Sequence, residues 1–117
     1  MHQYLLLLHE RPADATDVSA AEMTEIVQRY KAWSQQMAAA GKLVDGWKLT
    51  DDGGRALKLQ GGQPVASDGP YAEAHDVVGG LFIVNAADDA EAEALAATCP
   101  HLTGRQWIEI RRIDVVG

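Results

Sequence analysis

Asp68 lies in the segment Ser67-Asp68-Gly69-Pro70, and His101 follows Cys99-Pro100. A carboxylate that faces a pocket can act as a general base or accept a hydrogen bond, and an imidazole titrates near neutral pH as acid or base. As a pair the two would suit a lyase or isomerase acting on a small aromatic or enolisable substrate. Each also has a structural reading. An aspartate before Gly-Pro caps its own turn, and a protonated histidine at a helix C-terminus is favoured by the helix dipole. Tyr71 can line a pocket with its ring and donate a hydrogen bond, or simply pack. Glu73 either meets a basic group or is solvated.

Trp107, Glu109 and Arg111 alternate along the last apolar run and so share one face of a strand. If that face is buried, acid and base must pair with each other or bind something, because unpaired buried charge is costly. A structural ion pair across a dimer interface and a ligand-binding pair are the two options. Cys99 reads as a small hydrophobe at a helix end. A nucleophilic role would need an adjacent base, and His101 is two residues away. His2 and His9 bracket the first strand and read as strand-end residues, and His75 falls in a loop. The four histidines lack metal-binding spacing. The chain has no phosphate loop, dinucleotide fingerprint or nucleophile elbow. No metal and no cofactor are expected.

These residues need elements to hold them. Tyr4 to Leu8 is a continuous apolar run, as in a strand buried on both faces. Ser19-Ala20-Ala21-Glu22 is a capping box. Apolar residues follow at Met23, Ile26, Val27, Tyr30, Trp33 and Met37, and Gly41 suits a left-handed helix end, so a helix is predicted over about 19–40. Leu43 to Leu49 reads as a strand. Arg55 to Leu59 and Gln63 to Ala66 read as two arms joined by a Gly61-Gly62 turn, with a loop over 67–70. Gly80 to Ala86 is a second strand apolar on both faces. Asp88 to Thr98 is a helix capped by Asp88, and Gln106 to Val115 alternates as a strand.

The order β-α-β, hairpin, β-α-β predicts one α+β domain over 1–117, with a ferredoxin-like antiparallel sheet, two helices on one face and an inserted hairpin. Two helices cover one face only, yet two strands are apolar on both. A second copy packed sheet to sheet would cover the other, giving a homodimer of the dimeric α/β-barrel kind.

Composition narrows the function classes. The chain carries 10 Lys and Arg against 17 Asp and Glu, a net charge of −7. It lacks the basic stripe that phosphate backbones require, so neither nucleic acid nor an anionic membrane is an expected partner. With one cysteine it can form no intrachain disulfide, which fits a reducing compartment. The Leu5–Leu8 run is too short for a leader and passes straight into His9-Glu10-Arg11, so the expected location is cytoplasmic.

The segment from Val65 through Asp68-Gly69-Pro70-Tyr71-Ala72-Glu73 to Gly79-Gly80-Leu81-Phe82-Ile83 resembles the signature of the DGPF branch of the YCII-related family, with Tyr71 in the phenylalanine place. Cys99-Pro100-His101, Gly104, Ile108 to Arg111 and the Ser19-to-Met23 helix start are also similar to that family. The resemblance spans nearly the whole chain. It implies the ferredoxin-like fold and the dimer. It implies little about activity: some members are linked to extracytoplasmic-function sigma factors, and a smaller branch includes a dehydrochlorinase with a proposed His-Asp dyad. That histidine lies early in the first helix, where this chain has none between Ala20 and Val27. Three functions follow as expectations: a small-molecule-binding or accessory regulatory dimer, a lyase or isomerase using Asp68 and His101, and a protein-interaction dimer.

Overall fold

The computed structural model describes residues 1–11, 18–68 and 76–116. In chain order the elements are β1 (His2–Glu10), α1 (Ala20–Ala39), β2 (Leu43–Lys48), β3 (Arg55–Gln60), β4 (Gln63–Asp68), β5 (Val77–Ala86), α2 (Asp89–Ala97) and β6 (Trp107–Arg112). Four strands form an antiparallel sheet in the order β2-β5-β1-β6, and β3 and β4 form a separate two-stranded ribbon. The α+β, ferredoxin-like expectation with an inserted hairpin therefore holds. No barrel closes within the chain.

Local chemistry explains the boundaries. Ser19 Oγ accepts from the Glu22 backbone, and the returning Glu22 carboxylate accepts from the Ser19 hydroxyl at 3.1 Å instead of from its backbone N–H. At the other end of α1, Lys42 N–H donates to Met37 C=O and Gly41 N–H to Ala38 C=O, with Gly41 at φ 72°. This is a Schellman closure, which satisfies carbonyls that the helix leaves open. Asp88 caps α2 by accepting from the Glu91 N–H. Gly61 and Gly62 both have positive φ, as a two-residue hairpin turn that follows the strand twist requires. β4 runs on to Asp68, so the aspartate expected in a loop ends a strand.

Both helices pack on the same side of the sheet. Tyr4, Leu6 and Leu8 from β1, Phe82, Val84 and Ala86 from β5, Trp33 and Met37 from α1, and Ala92 and Ala96 from α2 form one core. The Trp33 indole meets the Phe82 ring edge-on at 4.9 Å and donates to Thr98 Oγ1 at 2.8 Å, so its polar end is paired inside the core. Met23 and Val27 belong to the predicted apolar stripe of α1 but are exposed. The opposite side of the sheet, carrying Leu5, Leu7, Leu81 and Ile83, has no helix over it.

The ribbon stands apart. It makes no extensive contact with any other element of its own chain. The radius of gyration is 16.2 Å, against roughly 13 Å for a compact chain of this length.

Candidate functional site

His9, Trp107, Glu109 and Arg111 project from the uncovered side of the sheet. β1 and β6 pair with His9 opposite Trp107, Leu7 opposite Glu109 and Leu5 opposite Arg111. Directly opposed side chains in an antiparallel pair lie within about 5.5 Å, and diagonal neighbours remain within reach. The His9 and Trp107 rings accordingly stack with centroids 4.0 Å apart and planes 9° from parallel. On the diagonal, His9 Nε2 lies 2.9 Å from Glu109 Oε1. The β1–β5 register shifts between Leu8 and His9, a bulge that passes over Gly79 and re-aims this end of the strand.

The Glu109 carboxyl is held below its usual range, first by the His9 hydrogen bond and then by Arg111. It is therefore an ionised acceptor that takes the hydrogen on His9 Nε2, which leaves Nδ1 as the ring atom still to be satisfied. Nδ1 is buried and has no hydrogen-bond partner among the described residues. Arg111 Nη1 reaches the other Glu109 oxygen only at 3.5 Å, and its side chain is 70% exposed. Histidine, not arginine, is the close partner of this acid. The Trp107 indole N–H donates to Asp76 Oδ2 at 3.2 Å, which ties β6 to the start of β5.

His101 approaches the same residue from the core side. Its Nε2 lies 2.8 Å from the His9 carbonyl, and its Nδ1 lies 2.7 Å from the Tyr30 hydroxyl. A carbonyl can only accept, so Nε2 carries hydrogen and Nδ1 accepts from Tyr30. This is the neutral tautomer, with both nitrogens committed. Burial pushes the His101 pKa down and the Tyr30 and Cys99 pKa values up. His101 is thus a neutral, buried link between α1 and β1, and the dipole-favoured cation expected from sequence is absent. Cys99 is buried as a thiol, not poised as a thiolate.

Asp68 lies at the end of the ribbon, where its carboxylate accepts from Arg55 Nη1 at 2.7 Å with its side chain almost fully in solvent. No hydrogen bond or ion pair joins it to His101. Tyr71, Glu73 and His75 lie outside the described residues. The structure thus brings Trp107, Glu109 and Arg111 together, and adds His9, which sequence reasoning left as a strand end. Its parity with Leu5 and Leu7 was the available signal, but the partner strand and register were not.

At the other end of β6 a cleft of about 180 Å3 is lined by Tyr4, Asp89, Glu93, Ile110, Arg111 and Arg112. Small-molecule sites usually enclose roughly 300–1,000 Å3, so this cleft alone is undersized. Among the described residues, no group of three or more His, Cys, Asp or Glu could hold a metal ion, and no helix is long and apolar enough to cross a membrane.

Among curated proteins, no match to the chain was found. A family model for the YCII-related domain matches residues 2–114, essentially the full length. The chain therefore belongs to the YCII-related domain family.

Proposed function

We propose that the chain is a homodimeric small-molecule-binding protein whose ligand lies on the open sheet face against His9, Trp107 and Glu109. The observation that carries this reading is His9 Nδ1. Among the described residues it is a buried polar atom without a partner, on a residue whose plane, second nitrogen and carbonyl are all held. Leaving such a group unpaired costs about 1–3 kcal/mol, which a ligand hydroxyl or N–H would recover. Arg111 contributes an exposed positive charge on the same face, and Trp107 offers a flat aromatic surface. The ligand class is therefore a small planar molecule with an acidic group and a hydroxyl or enol.

The same geometry supports acid–base chemistry as a second reading. A carboxylate on one ring nitrogen fixes the tautomer and leaves the other nitrogen as a base. This role fits His9 with Glu109 better than Asp68 with His101, because both His101 nitrogens are already bonded within the fold. A second copy would shelter the open face, and a reducing cytoplasmic compartment suits the buried thiol.

The test is calorimetric titration with a panel of hydroxybenzoates, on the wild type and on His9→Gln. The glutamine amide can still donate to Glu109 but offers nothing at the Nδ1 position. Binding in the wild type and at least tenfold weaker binding in the variant, with the melting temperature little changed, is the expected result. Equal binding by both proteins, or no binding by the wild type, would remove this ligand class and site.

A further inference from the structure

The two faces of the β3–β4 ribbon differ. Leu57, Leu59, Pro64 and Ala66 pair across the two strands on one face, with the Arg55–Asp68 ion pair at its base, and the more mixed set Ala56, Lys58, Gln60, Gln63, Val65 and Ser67 lies on the other. Leu57 and Leu59 are 69% and 73% exposed. An alternating strand pair signals one buried face, and an isolated two-stranded ribbon is marginal in water. Among the described residues nothing covers this face.

The surface that matches it is on the same molecule. The ribbon leaves the sheet between the end of β2 and the start of β5. That is also the end at which β1 finishes at Glu10 and β6 begins at Trp107. The arm therefore springs from the same end of the sheet as the His9–Trp107 stack, from the β2–β5 half of it. The open sheet face is about 19 Å wide and 20 Å long by strand spacing and rise, so it projects on the order of 400 Å2. A standard interface buries roughly 800 Å2 per partner, so the sheet face alone falls short. Each arm adds a further apolar strip about 10 Å long, over the Leu57–Ala66 and Leu59–Pro64 pairs. Under two-fold symmetry, arm-to-sheet contacts form twice and leave neither surface open.

We propose that the ribbon is an exchanged arm. In the homodimer each copy seats its Leu57–Leu59–Pro64–Ala66 face on the other copy's open sheet and walls in the end that carries His9 and Trp107. The ligand site is then incomplete in one chain. This rests on the homodimer proposed above, but not on the identity of the ligand.

The experiment is hydrogen–deuterium exchange with analytical ultracentrifugation on the full chain and on a Leu57→Ser/Leu59→Ser variant. Arm amides over 55–67 should be protected at dimer concentrations and exchange freely on dilution. The variant should keep a folded core and raise the dimer dissociation constant at least ~100-fold, since each buried leucine is worth about tenfold or more. A heterodimer of isotope-labelled wild type with unlabelled variant distinguishes arm-on-sheet from arm-on-arm contact. A wild-type arm that stays protected supports the inference, and one that loses protection overturns it. A dimer whose arms exchange freely also overturns it and leaves a foreign protein as the arm's occupant. A monomer at micromolar concentration overturns both this inference and the proposed homodimer. Loss of hydroxybenzoate binding in His9→Gln with the dimer intact bears only on the ligand reading.

Discussion

The residue that organises this site is a histidine held from three directions, two of them contributed by β6 and one from the core. The core contact gives a prediction of its own. His101→Ala leaves the Tyr30 hydroxyl and the His9 carbonyl without their partner and opens a cavity, so it should destabilise by about 2–4 kcal/mol in urea unfolding. Its pH dependence has a definite sign. Burial holds the folded His101 pKa below that of the unfolded chain. Between those two values the unfolded state binds more protons, so stability is fully present above pH ~6.5 and falls as the pH drops towards the folded value. Urea midpoints between pH 7.5 and 5 should show that fall, and His101→Gln should flatten it. At this scale the sequence was informative about residue types and poor about company. Trp107, Glu109 and Arg111 were legible as one face because strand parity is local. His9 was not, because its meaning depends on which strand lies beside it.

The elements were legible where their ends carry chemistry. Ser19 with Glu22, Gly41, Asp88 and Gly61-Gly62 are short-range signals, and each marks the boundary it predicts to within a residue or two. What escaped was β4, whose last residue Asp68 looked like part of a turn but pairs with Arg55 across the ribbon. Gly41 isolates one energetic effect cleanly. A Cβ there would meet nothing within 4 Å, so Gly41→Ala changes conformation without a clash. It should cost about 1 kcal/mol from the left-handed backbone alone, read as a lower melting temperature with an unchanged denaturant slope. By contrast Asp68→Asn removes only a solvent-exposed ion pair and should shift stability by less than about 1 kcal/mol.

At the scale of the whole molecule, the alternation of elements was enough to predict the sheet and the side its helices cover. The two apolar-both-sides strands told the same story from the other direction, since their second face is the one left open. Neither signal reveals how far the ribbon projects. That depends on the absence of contacts, and sequence pattern records only what a segment could bury, not where. The chain measures 48 by 46 by 20 Å, a broad slab whose helices bury one side of the sheet and leave the other side and the Leu57–Leu59 ribbon face outward. If the arm and sheet meet in a dimer, raising the protein concentration tenfold should raise the apparent melting temperature, as expected when association and folding are coupled. A monomer would melt at one temperature throughout.

The stacking of His9 on Trp107 also gives the molecule an optical readout. The three tryptophans occupy distinct environments: Trp33 is 4% exposed, Trp107 43% and Trp47 64%. A histidine ring stacked on an indole quenches it, so Trp107 emission should carry the mark of that contact in a way that neither of the others does. Subtracting the spectrum of His9→Gln from that of the wild type would isolate that signal. The emission of one side chain would then report occupancy of the open face in real time, with no label attached.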